Sequence, residues 1–215
     1  MVREKDRSLL DPAARQLIEP FLRQAARWID QPWVSPERIT IVGLVLGLGS
    51  ATAAGLQIWI AALVLWLLSR LADGLDGPLA RRRAGAGHAD AGTGGFLDIS
   101  ADFGVYGAFV LGVAFGTSQA HGTSLWPFLF VLVAYYVNGA TLLAFSSIAE
   151  RTSRQIDDDR SLSFMPGWAG GTETILVHSL WLAFPQFAGQ LALFWALVVG
   201  INAIRQIVVG YRRLS

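Results

Sequence analysis

IWIAALVLWLLSRLADGLDGPLARRR, residues 58–83, is the stretch from which the rest of the chain is read. No side chain from Ile58 to Ser69 is ionisable; Arg70, Asp73 and Asp76 then follow in quick succession, and Arg81, Arg82 and Arg83 close the stretch. An apolar run on this scale approaches the ~20 residues that carry a helix across ~30 Å of hydrocarbon. The arginines mark an aqueous face, and the two carboxylates lie just inside it.

Working outward, similar apolar runs give six expected spans, near residues 37–56, 58–80, 95–118, 124–148, 168–185 and 187–210. Composition agrees: 53 % of residues are hydrophobic and 15 % charged, where a globular domain carries about 25 % charged residues. The expected fold is all-α and integral to the membrane, a single domain over residues 1–215 with the six-helix bundle at 37–210. There is no cysteine, so disulfide and thiolate chemistry play no part. The N-terminal MVREKDRSLLDPAARQLIEP is charged from its start and has no short apolar core with a small-residue cleavage site, so it is not expected to be a cleaved signal peptide.

Ahead of the spans, residues 12–30 place Leu17, Phe21, Ala25 and Trp28 on one helical face and Arg15, Glu19, Arg23 and Arg27 largely on another. This pattern predicts an amphipathic helix lying in the interface rather than crossing it. The alternative is an ordinary surface helix. Orientation follows from the 17 basic residues. The connections near 57, 119–123 and 185–187 hold no Lys or Arg, whereas the N-terminal segment, Arg81 to Arg83, the 149–166 loop and the C-terminus hold most of them. The positive-inside rule then predicts that both termini, and the Arg81 face, are cytoplasmic. Arg70 and Arg205 remain within spans.

Ionisable groups inside membrane spans are costly and by default mark function. After Glu37, five acids lie in or at the edge of spans: Asp73, Asp76, Asp98, Asp102 and Glu173. At ~100° per residue, Asp73, Asp76, Gly77 and Ala80 share one arc of a helix, while Asp98 and Asp102 are one turn apart on the next. A short loop makes those helices antiparallel neighbours, so four carboxylates are expected to converge. Such a group repels itself unless cations compensate, and hard divalent ions suit oxygen ligands. Two such ions, Mg²⁺ or Mn²⁺, also suit a diphosphate substrate. Gly77 and Ala80 leave space for it, and Arg81 can neutralise phosphate.

The pattern D73-x2-D76-G77-x2-A80-R81 followed by G94-x3-D98-x3-D102 resembles the signature of the class I CDP-alcohol phosphatidyltransferase family. Six spans behind an interfacial helix are also similar to that family, over nearly the whole chain. The resemblance implies transfer of a phosphatidyl group from CDP-diacylglycerol to a hydroxyl acceptor, glycerol 3-phosphate or another small alcohol, with release of CMP. It further implies that Asp73, Asp76, Asp98 and Asp102 bind two metal ions, that Asp102 is the general base, and that Gly77, Ala80 and Arg81 contact the cytidine diphosphate. A homodimer in the inner membrane, with its active site on the cytoplasmic side, is implied as well; no nucleic-acid partner is expected. Residues 82–93 form a longer Gly/Ala-rich connection than the family's usual one, and Glu37 stands where Asn is usual beside Pro36, Ile39 and Thr40.

Weaker features carry paired readings. Thr40 is a candidate contact to the nucleotide. Thr93 is read as the N-cap of the third span, with donor contact as the minority reading. Glu173, with Arg70 and Arg205, lines an acceptor pocket or simply forms an ion pair. Pro78 shapes the site or only kinks a helix end. His88, Asp90, Asp157, Asp158 and Asp159 are expected to be solvated, His121 and His178 to lack partners, and the tryptophans to serve as interfacial anchors and lipid-facing bulk. Two rival functions remain open from the residues: a cation transporter or channel using the intramembrane aspartates, and an Mg²⁺-dependent intramembrane prenyltransferase.

Overall fold

The computed structural model describes residues 11–84, 92–151 and 170–214, and every element in them is helical. In chain order these are α1 (Asp11–Ile29), α2 (Pro36–Gly55), α3 (Trp59–Ala84), α4 (Thr93–His121), α5 (Trp126–Arg151), α6 (Gly171–Ala183) and α7 (Ala188–Leu214), with a 3₁₀ turn at Pro185–Phe187 before α7. His88, Asp90, Asp157, Asp158 and Asp159 fall outside the described residues, as do the side chains of Arg15, Leu17 and Glu19.

Four helical stretches are long and apolar enough to cross a membrane among the described residues: Pro36–Gly55, Thr93–His121, Trp126–Arg151 and Pro185–Leu214. The two remaining expected spans differ for physical reasons. Helix α3 has 26 residues but carries Arg70, Asp73, Asp76 and three terminal arginines. Helix α6 has 13 residues, about 20 Å at 1.5 Å per residue.

Helices α2, α3 and α4 form one packed group, and α5 pairs with α7. Small residues set the spacing of the first group. A Cβ on Gly112 would stand 2.1 Å from the Ala51 carbonyl oxygen, and one on Gly116 would stand 2.0 Å from that of Ala54. Only glycine lets α4 approach the α2 backbone this closely, the small-xxx-small device of membrane helices. Gly47 makes room for Val105 of α4, where a Cβ would stand 2.6 Å away, Gly43 faces Ala72 and Ser69 of α3, and Ser69 Oγ donates to the Gly43 carbonyl at 2.7 Å. In a bilayer such contacts replace the hydrophobic drive that water supplies elsewhere, because lipid is as apolar as leucine.

Helix α2 starts as its sequence directs: Ser35 caps it by accepting from Arg38 N at 3.2 Å, and Pro36 occupies the first turn, where no N–H is needed. Helix α4 does not start as expected. Its N-cap is Gly92, at φ +77°, and Thr93 is the first helical residue with no side-chain cap bond. The left-handed backbone there suits glycine, and it displaces the cap by one residue. On α1, Phe21 and Trp28 are exposed while Ala26 is buried against the bundle. The tryptophans divide. Trp28, Trp33 and Trp126 are exposed, but Trp66, Trp181 and Trp195 are core residues, which corrects the expectation of bulk facing lipid alone.

Candidate active site

The last turns of α3 and the first turns of α4 bring the expected carboxylates to one end of the α2–α3–α4 group. Asp76 is fixed at both oxygens: Thr40 Oγ1 donates to Oδ2 at 2.7 Å, and the Gly77 N–H donates to Oδ1 at 2.6 Å. Thr40 is therefore a direct partner of a candidate metal ligand, which strengthens its place in the site. Asp98 faces Asp76 and Asp102 closely enough for their charges to interact. The Asp73 and Asp102 carboxyls lie close enough for their charges to interact. Two carboxylates in such contact need a compensating positive charge.

Arg70 supplies one. Its Nη1 lies 2.7 Å from Asp102 Oδ1 and 3.7 Å from Asp73 Oδ2, and its Nη2 donates to Ser69 Oγ at 3.1 Å. The Trp66 and Tyr106 rings each lie 5.0 Å from its guanidinium carbon, within the range of cation–π attraction. The Arg70 side chain is 4 % exposed, against 32 % for Asp73 and 35 % for Asp102. The cation thus reaches the pair from inside the bundle, and the carboxylates keep an open side. A small cleft lies there, lined among others by Thr40, Gly43, Arg70, Asp73, Asp102 and Val105.

The four aspartates lie near one another without forming one closed cage. Among the described residues no three acidic, His or Cys side chains are grouped tightly enough to share an ion. The reason is local: Thr40 and the Gly77 N–H hold Asp76, while Arg70 draws Asp102 inward. The donor set nonetheless fits a hard divalent cation. It is all oxygen, strongly acidic, about one-third exposed at Asp73 and Asp102, and short of positive charge.

Arg81 folds back along α3, and a Cβ on Gly77 would stand 3.3 Å from its Nη1. The Arg81 side chain thus lies over Gly77, whose N–H holds Asp76. Gly94 lies across from Glu37, whose Oε1 would be 3.9 Å from a Cβ there. Thr93 is exposed at the start of α4. Glu173 sits in the first turn of α6 and Arg205 within α7, neither in the cleft lining.

Outside the membrane-spanning segments, Asp30 anchors this end. Arg82 Nε donates to its Oδ2 at 2.7 Å, and Arg83 Nε to its Oδ1 at 3.1 Å. Those bonds hold the Asp30 carboxyl below the usual carboxylate range. They also tie the α1–α2 junction to the end of α3, where Leu22 packs against Gly74.

Sequence reading missed two features. One is the direct grip of Arg70 on Asp102, although a lone cation three residues before an intramembrane aspartate signalled that it needed an anion. The other is His178, expected to lack a partner: Tyr135 Oη lies 2.9 Å from its Nε2 and receives Trp195 Nε1 at 2.6 Å. No spacing rule joins residues on α5, α6 and α7.

Comparison with known proteins bears directly on this geometry. The CDP-alcohol phosphatidyltransferase family profile matches residues 33–209. The inner membrane protein YnjF of Escherichia coli (strain K12) is 37 % identical over 194 residues, covering 88 % of this chain and 89 % of that protein. Among solved structures, Mycobacterium tuberculosis phosphatidylinositol phosphate synthase (PgsA1) with CDP-DAG bound superimposes with a TM-score of 0.69 at 18 % identity, covering 89 % of this chain and 94 % of that one. The same enzyme in complex with manganese and citrate gives 0.68 at 19 % identity, covering 88 % of each chain. Those structural likenesses establish the fold. With four membrane-length apolar helices and an inner membrane relative, the chain is an integral membrane protein. The matching profile covers every element of the site from Thr40 to Asp102, and this chain belongs to the CDP-alcohol phosphatidyltransferase family, as an enzyme of that class.

Proposed function

We propose that the enzyme makes phospholipid by transferring the phosphatidyl group of CDP-diacylglycerol to the hydroxyl of a small alcohol, with glycerol 3-phosphate or a similar polyol as acceptor, releasing CMP. The observation that carries this reading is the meeting of Asp73, Asp76, Asp98 and Asp102 at one half-open edge of the bundle, bordered by Gly77 and Arg81. Family membership and the CDP-DAG bound to the related fold support the donor.

In this reading the four aspartates hold two divalent ions, Mg²⁺ or Mn²⁺; manganese is held by the related PgsA1. Bound there, the ions supply charge neutralisation for a diphosphate. The chain's own groups do the rest. Thr40 and the Gly77 N–H orient Asp76, and Arg81 meets phosphate charge at the rim. Gly77 and Ala80 leave room for the nucleotide, which Thr93 borders. Asp102 accepts the proton of the acceptor hydroxyl as that oxygen attacks phosphorus, and the P–O bond to CMP breaks. The acceptor pocket is assigned to Arg70, Glu173 and Arg205, of which Arg70 lines the cleft.

The wider arrangement belongs to the same proposal: residues 1–215 as one domain and six crossings at 37–210, with α3 and α6 completing the set. Helix α1 lies in the interface, its exposed Phe21 and Trp28 in the headgroup region. Both termini and the active site face the cytoplasm, as the arginines favour, and the enzyme is a homodimer. The transporter and prenyltransferase readings are not favoured, since neither accounts for the family match. Purified protein given CDP-diacylglycerol, Mn²⁺ and a panel of alcohols is expected to release CMP with one acceptor and to stop on chelation. Absence of CMP with every acceptor would overturn the proposal.

A further inference from the structure

We infer that Arg70 is a positioning residue and an internal counter-cation: it aims the Asp102 carboxylate and, by its charge, limits how tightly the aspartates take a divalent ion. The inference rests on the metal-dependent reading above.

The geometry is that of a clamp. Both terminal nitrogens are engaged, Nη1 with Asp102 at 2.7 Å and Nη2 with Ser69 Oγ at 3.1 Å. Ser69 is held in turn by the Gly43 carbonyl at 2.7 Å, so α2, α3 and α4 are joined through one guanidinium. Trp66 and Tyr106, each 5.0 Å away, close over it. Arg70 Nε is buried with no hydrogen-bond partner, a cost the fold bears to keep the group there. A planar fork with two separated donors meets these demands, and a lysine ammonium does not.

Charge gives the second half. One guanidinium against four carboxylates lowers the negative charge offered to an ion, from a position where 4 %-exposed burial keeps water from screening it. Removing it must strengthen metal binding while freeing Asp102 to rotate out of line. Loss of fold or simple misfolding weakens both metal binding and turnover. Opposite movement of the two is therefore the signature of this role.

The test uses the full chain in lipid nanodiscs, with Mn²⁺ binding followed by electron paramagnetic resonance without substrate, and CMP release measured separately. Arg70→Gln is expected to bind Mn²⁺ about tenfold more tightly than the parent and to lose about 100-fold in kcat. Arg70→Lys keeps the charge and is expected to hold Mn²⁺ within about threefold of the parent, with kcat reduced and KM little changed. A folded Arg70→Gln protein that binds Mn²⁺ no better than the parent overturns the inference alone. If Arg70→Gln does not fold, Arg70→Lys decides: parental kcat overturns the inference, and reduced kcat at parental Mn²⁺ affinity supports it. A parent chain that binds no Mn²⁺ overturns both this inference and the metal-dependent reading.

Discussion

Arg70 and His178 both lie against the same aromatic wall. Trp66 and Tyr106 lie 5.0 Å from the arginine, and their rings lie 5.1 and 5.7 Å from the imidazole. On the arginine side the polar groups are charged, face a cleft, and include two carboxylates about one-third exposed. On the histidine side, Tyr135, His178 and Trp195 are joined in a short relay packed between Phe109 and Trp181, with His178 fully buried. The difference shows what burial of polar groups in a bundle can serve. Uncharged groups sealed among rings fix how helices α5, α6 and α7 meet, whereas charges with one open side do chemistry.

If that division is right, substitutions on the two sides fail in different ways. Asp102→Asn is expected to give the largest effect, a loss of about 10²–10⁴-fold in kcat for CMP release, the usual contribution of a positioned base. Its thermal midpoint should stay near that of the parent, because the amide still accepts from Arg70. Parental turnover in this variant would remove Asp102 from the base role. Thr40→Val comes next. It deletes the 2.7 Å bond to Asp76 without altering shape, and a residue that orients a metal ligand is worth about 10–100-fold in metal affinity or activity. Titrating CMP release against Mn²⁺ should show a weaker midpoint.

Across the wall the expected readout is stability. Tyr135→Phe strands His178 Nε2 and Trp195 Nε1 together, and should cost about 1–2 kcal/mol, as for polar contacts between membrane helices. Turnover per folded molecule should remain within about twofold. A fall in kcat matching that of Thr40→Val would mean that the sealed side also serves the reaction, and the comparison would fail.

The arginine side was readable in advance to the degree that it rests on helical spacing. Asp73, Asp76, Asp98 and Asp102 are found at neighbouring turns of α3 and α4, as a ~100° step and a short connection require. The spacing does not say which way each carboxylate turns. Thr40 and Arg70, brought in from α2 and from an earlier turn of α3, decide that. The sealed side was not readable at all, since Tyr135, His178 and Trp195 come from three helices whose faces are apolar nearly all round. Span count was legible for the helices that keep a long apolar stretch, α4 among them despite Asp98 and Asp102, and not for the short α6. The same Arg70, Asp73 and Asp76 that mark the site make α3 a poor apolar helix by composition.

The clamp at Asp30 repeats the arginine–carboxylate chemistry of Arg70 and Asp102 outside the membrane-spanning segments, and so isolates what burial adds. Arg82 and Arg83 hold the Asp30 carboxyl below its ordinary value of 3.8. A carboxyl lowered in the folded state stabilises the fold above its unfolded pKa and loses that contribution as pH falls through the lowered folded value. The thermal midpoint of the parent should therefore exceed that of Asp30→Asn at pH 7, with the gap closing below about pH 4, near the unfolded carboxylate value. Because the Arg82 side chain is 50 % exposed, added salt should narrow the gap at pH 7 as well. In the Arg70 pair the arginine is 4 % exposed and Asp102 35 % exposed, so salt should weaken it less than the Asp30 clamp, and part of the Mn²⁺ affinity ratio of Arg70→Gln to parent should persist at high ionic strength. This is the smallest of the expected effects, and a gap for Asp30→Asn that ignored both pH and salt would show that Asp30 acts by packing and not by charge.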